Sequence, residues 1–411
     1  MHPEIPDFNQ AEPRSQWAAR WRDELTLNVL PWWQRQIFDA EGRVLGARGN
    51  DGQPREAPRS AVLGTRLLWA FASAQHRLGA TAEGGRAAHR AWAWLNQALI
   101  DPVDGGVFWS VDGDGRPLQT HKQTYAQAFA IYALCACHAW QAKDDSPALR
   151  QALGFFELLQ AHAFDPADGG CWEGRMRDWR PLASARLSDK EPPAPKTMNT
   201  MLHVLEALTE LLRHHRVPAV EARLRELLAL FLDRIWLPGQ ACFGLYFSAD
   251  WRVLTPDVSW GHDIETAWLL VRAADVLADA ALQARTRTLA VQVADAVLAR
   301  GVAPDGSVLG EGRFDGSVTD ERRHWWCQAE AVVGFWDAWQ WGGDPRHAQA
   351  AWRAWRYIDR HHVDRAGGDW FKTLDPQGRP LDSVPKAGPW ECPYHHVRAG
   401  LEMIERLAPA T

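Results

Sequence analysis

The stretch DPVDGGVFWSVDGDGRPL, Asp101 to Leu118, crowds Asp-Gly turns between aromatic and β-branched residues. It returns as DPADGGCWEGRMRDWRPL from Asp165 to Leu182 and as DRAGGDWFKTLDPQGRPL from Asp364 to Leu381. Looser copies are FDAEGRVLG (38–46), QACFGLYFSADWRVL (240–254) and APDGSVLGEG (303–312). The glycines that mark the six copies, Gly42, Gly106, Gly170, Gly244, Gly306 and Gly368, are spaced by 64, 64, 74, 62 and 62 residues. A near-constant period of this kind is the signature of a repeat architecture. Each copy reads as a short β-hairpin, with aromatics alternating around its turn.

Between successive copies lie two Ala- and Leu-rich segments with helical periodicity and one apolar face, such as 121–142 with 146–162, or 262–278 with 281–300. Adding the terminal segments 13–38 and 390–407 completes six helical hairpins. The spacing therefore predicts an all-α chain, an (α/α)6 toroid forming one domain over residues 1–411, with its β-hairpin loops on one face. The long interval contains ASARLSDKEPPAPK (183–196), whose Pro and charge content makes it a loop, either a lid over the pocket or a passive excursion.

Composition narrows the partners. A net charge of -6, with 45 Lys and Arg interspersed among 51 Asp and Glu, argues against nucleic acid or an anionic membrane. The six cysteines form no CxxC pair and read as buried thiols of a reducing compartment. The N-terminus has no basic-then-apolar pattern and no stretch reaches membrane-spanning length, so a cytoplasmic location is expected. With 24 Trp against 5 Tyr, the chain is rich in flat indoles, which pack cores and also suit the apolar faces of sugar rings.

The first helix of each pair carries unusual residues near its start: Arg66; Lys122, Tyr125 and Gln127; Asn199 and His203; His262 and Glu265; Trp325, Trp326 and Gln328; Trp390, Tyr394, His395 and Arg398. In a toroid these helices run the same way, so their beginnings meet at one end of the cavity. His203 with Glu206 and His262 with Glu265 stand at i, i+3, which places each carboxylate on the face of its imidazole. Such a carboxylate fixes one ring nitrogen and leaves the other as acid or base. A histidine at a helix start also serves as a cap or core residue; His214, His215, His361 and His362, at helix ends, read as surface residues compensating the dipole.

HEXXH is absent and no further carboxylates cluster with the histidines, so neither metal nor cofactor is expected. A glycosidase needs two carboxyls across a scissile bond; Asp263, Glu265, Glu330 and Glu391 are available, but nothing in the sequence pairs them. Histidines suit proton transfer at carbon. Removing the C2 proton of an open-chain aldose gives an enediolate, whose reprotonation on the opposite face of C2 gives the epimer and at C1 the ketose. Arg66 would stabilise the oxyanion.

The segments AVLGTRLLWAFA (61–72), HKQTYAQAFAIYAL (121–134), MNTMLHVLEALTELL (198–212), SWGHDIETAWLL (259–270), RHWWCQAEAVVGF (323–335) and KAGPWECPYHHVRAGLEMIER (386–406) resemble, in order, the N-acylglucosamine 2-epimerase superfamily and its cellobiose 2-epimerase branch. The resemblance implies an (α/α)6 barrel and metal-independent sugar epimerisation. It implies His262 and His395 as the acid/base pair on opposite faces of C2, with His203 assisting ring opening or proton relay. Arg66, Tyr125, Asn199 and Glu265 would position the substrate, and Trp325, Trp326 and Trp390 would wall it. Four residues depart from the branch beside the implied site: Met201 for histidine, Trp260 for tyrosine, Glu391 for lysine and His396 for asparagine.

Three readings follow: a 2-epimerase of cellobiose or a related β-1,4 disaccharide; a monosaccharide aldose-ketose isomerase or mannose 2-epimerase; and a sugar-binding helical-repeat protein without turnover. The partner expected is a small sugar, with the chain a monomer or homodimer.

Overall fold

The structure, a computed structural model, describes residues 5–182, 185–188 and 191–408. It is mainly helical. The α-helices are α1 (Ala11–Asp23), α2 (Leu30–Gln36), α3 (Ala61–Arg77), α4 (Ala82–Trp94), α5 (Thr124–Gln141), α6 (Pro147–His162), α7 (Met198–His214), α8 (Pro218–Leu230), α9 (Trp260–Leu277), α10 (Ala280–Arg300), α11 (Trp325–Gly342), α12 (Pro345–Tyr357) and α13 (Tyr394–Leu407). A π-helical turn, Glu24–Val29, joins α1 and α2 into one rod. Three further π turns, Leu95–Leu99, Phe231–Ile235 and Ile358–His362, finish α4, α8 and α12. The sequence periodicity does not announce them.

The odd-numbered helices from α3 to α13 close a ring: α3 packs on α5, α5 on α7, α7 on α9, α9 on α11, α11 on α13, and α13 back on α3. Each is backed by an outer helix, α4, α6, α8, α10 and α12 by sequence order and α1 behind α13. The ring helices do not show the single apolar face that their composition suggests. Every residue of α3 from Ala61 to Gln75 is buried, and so is every residue of α5 from Thr124 to Cys135, because these helices have neighbours on all sides. Small residues set the closeness: a Cβ on Gly334 of α11 would stand 2.5 Å from Ile264 Cγ1 and 2.8 Å from the Ile264 carbonyl on α9. All six cysteines are free and buried.

The glycine-marked segments form short antiparallel strands at the end where the ring helices begin. Arg59–Ser60, Lys122–Gln123, Lys196–Thr197, Asp257–Ser259 and Arg323–His324 lead into α3, α5, α7, α9 and α11, and each pairs with a strand that follows the next outer helix. Buried ion pairs lock this layer. Lys122 Nζ meets Asp101 at 2.8 Å, Lys196 Nζ meets Asp165 at 2.7 Å, and Lys386 meets Asp364. Each aspartate opens one of the three close sequence copies. Lys122 and Lys196 stand two residues before α5 and α7, so there the repeat motif fixes where the next ring helix starts; Lys386 stands eight residues before α13.

The insertion 183–196 lies partly outside the described residues, at 183–184 and 189–190. Its described part buries Leu187, and Pro195 accepts the Glu173 N–H at 3.1 Å. Between it and strand Gly174–Arg175 is a cavity of about 610 Å³ whose lining includes Trp172, Glu173 and Pro193 and none of the histidines. Among the described residues no helix is long and apolar enough to cross a membrane.

Candidate active site

His262 occupies the first turn of α9, and its Nδ1 shares a hydrogen bond of 2.8 Å with the Ser259 hydroxyl. His395 occupies the first turn of α13, with Nδ1 2.8 Å from Glu330 Oε1 of α11 and 3.9 Å from Glu265 Oε1 of α9. The Trp326 indole neighbours both imidazoles, its centroid 4.5 Å from that of His262 and 5.6 Å from that of His395. Two residues 133 positions apart in the chain are thus brought against one aromatic ring. Trp325 packs edge-on to His395 at 6.1 Å.

His203, on α7, has Nδ1 3.0 Å from Glu206 and rings of Tyr125 and Phe129 at 5.0 and 4.7 Å. Asn199 stands one turn before it, half-buried, and its Oδ1 is without a hydrogen-bond partner among the described residues. Arg66 is 2% exposed; its Nη2 donates to the Tyr125 hydroxyl at 2.6 Å and its Nη1 to Cys392 Sγ at 3.5 Å. No carboxylate pairs with it among the described residues, and its guanidinium lies over the rings of Phe129 and Tyr394 at 4.2 and 4.6 Å. A buried cation so placed is prepared for negative charge that arrives with, or develops on, a ligand. Trp390 completes this side, 5.7 Å from Tyr125 and 6.0 Å from Trp109.

The sequence reading named Arg398 among the helix-start residues but gave it no role, and it is the hub of the site. Arg398, one turn after Tyr394 on α13 and 1% exposed, bonds Glu206 of α7, Glu265 of α9 and Glu330 of α11. Tyr394 donates to Glu206 as well, at 2.6 Å to Oε1. One guanidinium therefore ties together the carboxylates behind His203 and His395. Glu265, Glu330 and His395 bring ligand atoms within 4.8 Å of one another, a grouping that a metal ion would accept, but the Arg398 guanidinium already bonds both carboxylates. The grouping also pairs two of the acids that the sequence left unpaired.

Two expectations need correction. The i, i+3 spacing holds for His203 with Glu206 but not for His262 with Glu265: the Glu265 carboxylate turns to Arg398 and His395, and Ser259 takes its place beside His262. His362, expected on the surface, is fully buried, with Nδ1 bound to the Phe371 carbonyl at 2.7 Å. The π turn Ile358–His362 adds a residue to the last turn of that helical run and rotates His362 inward.

Electrostatics follow from burial and from the hub. Burial, reinforced by His203 and Arg66, pushes His262 down to about 3. Burial together with Arg66 and Arg398 holds His395 well below the usual imidazole value. Burial and the neighbouring Glu330 push Glu265 up to about 7. Glu206 resists its burial and falls to about 2, because Arg398 and His203 hold its charge.

A family model described as N-acylglucosamine 2-epimerase (GlcNAc 2-epimerase) matches residues 46–399. This chain belongs to that family. It is accordingly an isomerase of the sugar-epimerase kind. A cellobiose 2-epimerase of Bacteroides fragilis is 38% identical over 386 residues, covering 93% of this chain and 97% of that protein. The structure of cellobiose 2-epimerase from Spirochaeta thermophila matches with a TM-score of 0.88 at 37% identity, over 96% of this chain and 98% of that one. A D-mannose isomerase structure, at 21% identity and a TM-score of 0.81 over 98% and 99% of the two chains, shares the fold.

The four departures from the cellobiose branch do not all stand where the sequence suggested. Met201 is fully buried and its sulfur accepts the Cys171 N–H at 3.2 Å. Trp260 packs outward on Gly301 and Gly312. His396 belongs to a buried network, its Nε2 2.9 Å from Asp369, which also holds Lys372 at 2.7 Å. Only Glu391, half-buried next to Trp390, remains near the substrate-facing wall, and burial raises its pKa.

Proposed function

We propose that this chain interconverts the C2 epimers of a reducing-end aldose, cellobiose or a related β-1,4 disaccharide, through an enediolate. The observation that supports the reading most is that His262 and His395, at the starts of two ring helices, both lie against Trp326. One imidazole takes the C2 proton, the C–H electrons form the C1–C2 double bond, and the carbonyl oxygen becomes an oxyanion. The other imidazole then returns a proton to the opposite face of C2. Arg66, without a carboxylate partner among the described residues, stabilises the oxyanion. His203 assists ring opening, Tyr125, Asn199 and Glu265 position the sugar, and Trp325, Trp326 and Trp390 wall it.

Epimerisation needs one neutral and one protonated imidazole. Both are depressed by burial, so the second proton is supplied by the acid unit behind His395, where Glu265, raised to about 7, stands 3.9 Å from Nδ1. We read residues 1–411 as a single-domain (α/α)6 toroid, a reading supported by the ring of contacts among α3, α5, α7, α9, α11 and α13.

The deciding experiment is incubation with cellobiose and with mannose in heavy water. The reading expects deuterium at C2 and an aldose epimer of cellobiose. A ketose product, or turnover of mannose alone, favours the isomerase reading; no incorporation with either sugar refutes catalysis at C2.

A further inference from the structure

The outer wall carries a second constellation, unrelated to the histidine site. Helix α12 and its π turn contain WRAWRYIDRH, Trp352 to His361, in which an aromatic or imidazole ring and an arginine recur together every four residues. Four-residue spacing puts Trp352, Arg356 and Arg360 on one stripe, with Arg353, Tyr357 and His361 on the stripe beside it. With Asp305 of the loop after α10, they line a cavity of about 320 Å³.

The arginines here differ from others on this surface. Arg322, Arg346, Arg365 and Arg379 each bond a neighbouring aspartate. Arg353, Arg356 and Arg360 are exposed and have no hydrogen-bond or ion-pair partner among the described residues. The acid in the lining, Asp305, accepts both the Ser307 N–H at 2.9 Å and the Ser307 hydroxyl at 2.5 Å. Three guanidiniums against one carboxylate leave the pocket with an excess of two positive charges.

In its lining, Tyr357 is 4% exposed and stacks on His361 at 4.6 Å, and its buried hydroxyl, next to Ser307, makes no hydrogen bond of good geometry among the described residues. The nearby Ser307 hydroxyl is committed to Asp305 and accepts Arg323 Nε at 2.6 Å. Burial keeps the tyrosine protonated, up to about 12, so at neutral pH the hydroxyl is a donor, with Ser307 Oγ beside it.

We propose that this pocket binds a phosphoryl group, on a small molecule carrying one or two phosphates. Three guanidinium forks and a hydroxyl donor present more N–H and O–H groups than a carboxylate's two oxygens can use, and they match the three or four acceptor oxygens of a tetrahedral dianion.

The test is calorimetric titration of the full chain with inorganic phosphate and with pyrophosphate at fixed ionic strength. Wild type is expected to bind one equivalent of at least one of them saturably. Arg356→Ser with Arg360→Ser should weaken Kd at least tenfold, Tyr357→Phe several-fold, and Arg322→Ser, which removes an arginine already paired elsewhere, not at all. These side chains are exposed or lose only a hydroxyl, so the variants keep their fold, checked by melting temperature. Absence of saturable binding, unchanged binding in the double variant, or equal loss in Arg322→Ser, which would mark a bulk charge effect, each overturns the proposal.

Discussion

Replacing Glu330 by glutamine probes the link between the hub and the chemistry. In wild type one carboxylate serves three donors: His395 Nδ1 at 2.8 Å and Arg398 Nη2 at 2.8 Å through Oε1, and Trp268 Nε1 at 3.2 Å through Oε2. An amide keeps one acceptor. Turned toward His395 and Arg398, it sets its NH2 against the indole N–H, so one buried hydrogen bond is lost, at about 1–3 kcal/mol of stability. The larger effect is on charge. An imidazolium and a carboxylate about 4 Å apart attract by roughly 4 kcal/mol at an effective dielectric of 20. Arg398 already draws on the same oxygen, so the share lost to His395 is nearer the ~1.5–3 kcal/mol of a charge-assisted bond. That corresponds to about a 10- to 10²-fold fall in kcat/KM. Epimerisation measured in both directions by chromatography, with C2 hydrogen exchange in heavy water followed by NMR, should show this fall, with melting lowered by a few degrees. A variant with kcat/KM within twofold of wild type would mean that Glu330 only fills space and that the hub does not reach the chemistry.

Replacing His262 by asparagine should lower epimerisation by about 10²–10⁴-fold with nearly unchanged melting, and full retained activity would refute its role. Glu173, buried and raised to about 8 from 4.5 by desolvation, binds its proton more tightly folded than unfolded; it therefore stabilises at low pH and loses that contribution as pH climbs from about 4.5 to 8. Glu173→Gln should flatten the pH dependence of urea midpoints across that window by up to roughly 1.4 kcal/mol per unit, and parallel wild-type and variant curves would contradict this. Lys196→Met strands Asp165 and the Gly169 and Ala249 carbonyls and should cost about 3–5 kcal/mol, whereas Lys122→Met should cost less because Arg177 still bonds Asp101 at 2.8 Å; equal losses would show that the clamps do not act as drawn. Activity should survive exhaustive chelation, since the Arg398 guanidinium bonds the Glu265–Glu330 pair; loss restored by zinc or manganese would reverse that reading.

The repeat was legible because turns restrict which residues can occupy them: a glycine-marked turn every 62 to 74 residues leaves a mark that survives divergence of the helices between. The positions of His203, His262 and His395 followed from it, since each sits in the first two turns of a ring helix. Tertiary partners were not legible. Arg398 lies 192 residues from Glu206 and 133 from Glu265, and no local pattern marks an arginine that three different helices will surround. The i, i+3 rule gave Glu206 its histidine and misplaced Glu265 because a helix face offers a neighbour without compelling it. A carboxylate also within reach of a buried guanidinium goes there. The π turns erase themselves from a 3.6-residue pattern, and the burial of His362 was lost with them.

The two imidazoles assigned to C2 are backed differently, and the difference has a mechanistic consequence. A carboxylate at 2.8 Å stabilises the protonated form of His395, and Glu265 beside it retains a proton near neutrality. A serine hydroxyl at 2.8 Å serves either form of His262, donating to a bare nitrogen or accepting from a protonated one. On this reading the proton that epimerisation borrows rests between turnovers on the α9–α11–α13 side of the cavity. His262 waits as free base. The epimer whose C2 hydrogen faces His262 then meets the enzyme ready to react, while the other requires that proton to cross first. The hub makes the asymmetry possible: three carboxylates gathered around Arg398, with Arg66 unpaired among the described residues, leave the site with one negative charge in excess, and a single retained proton neutralises it.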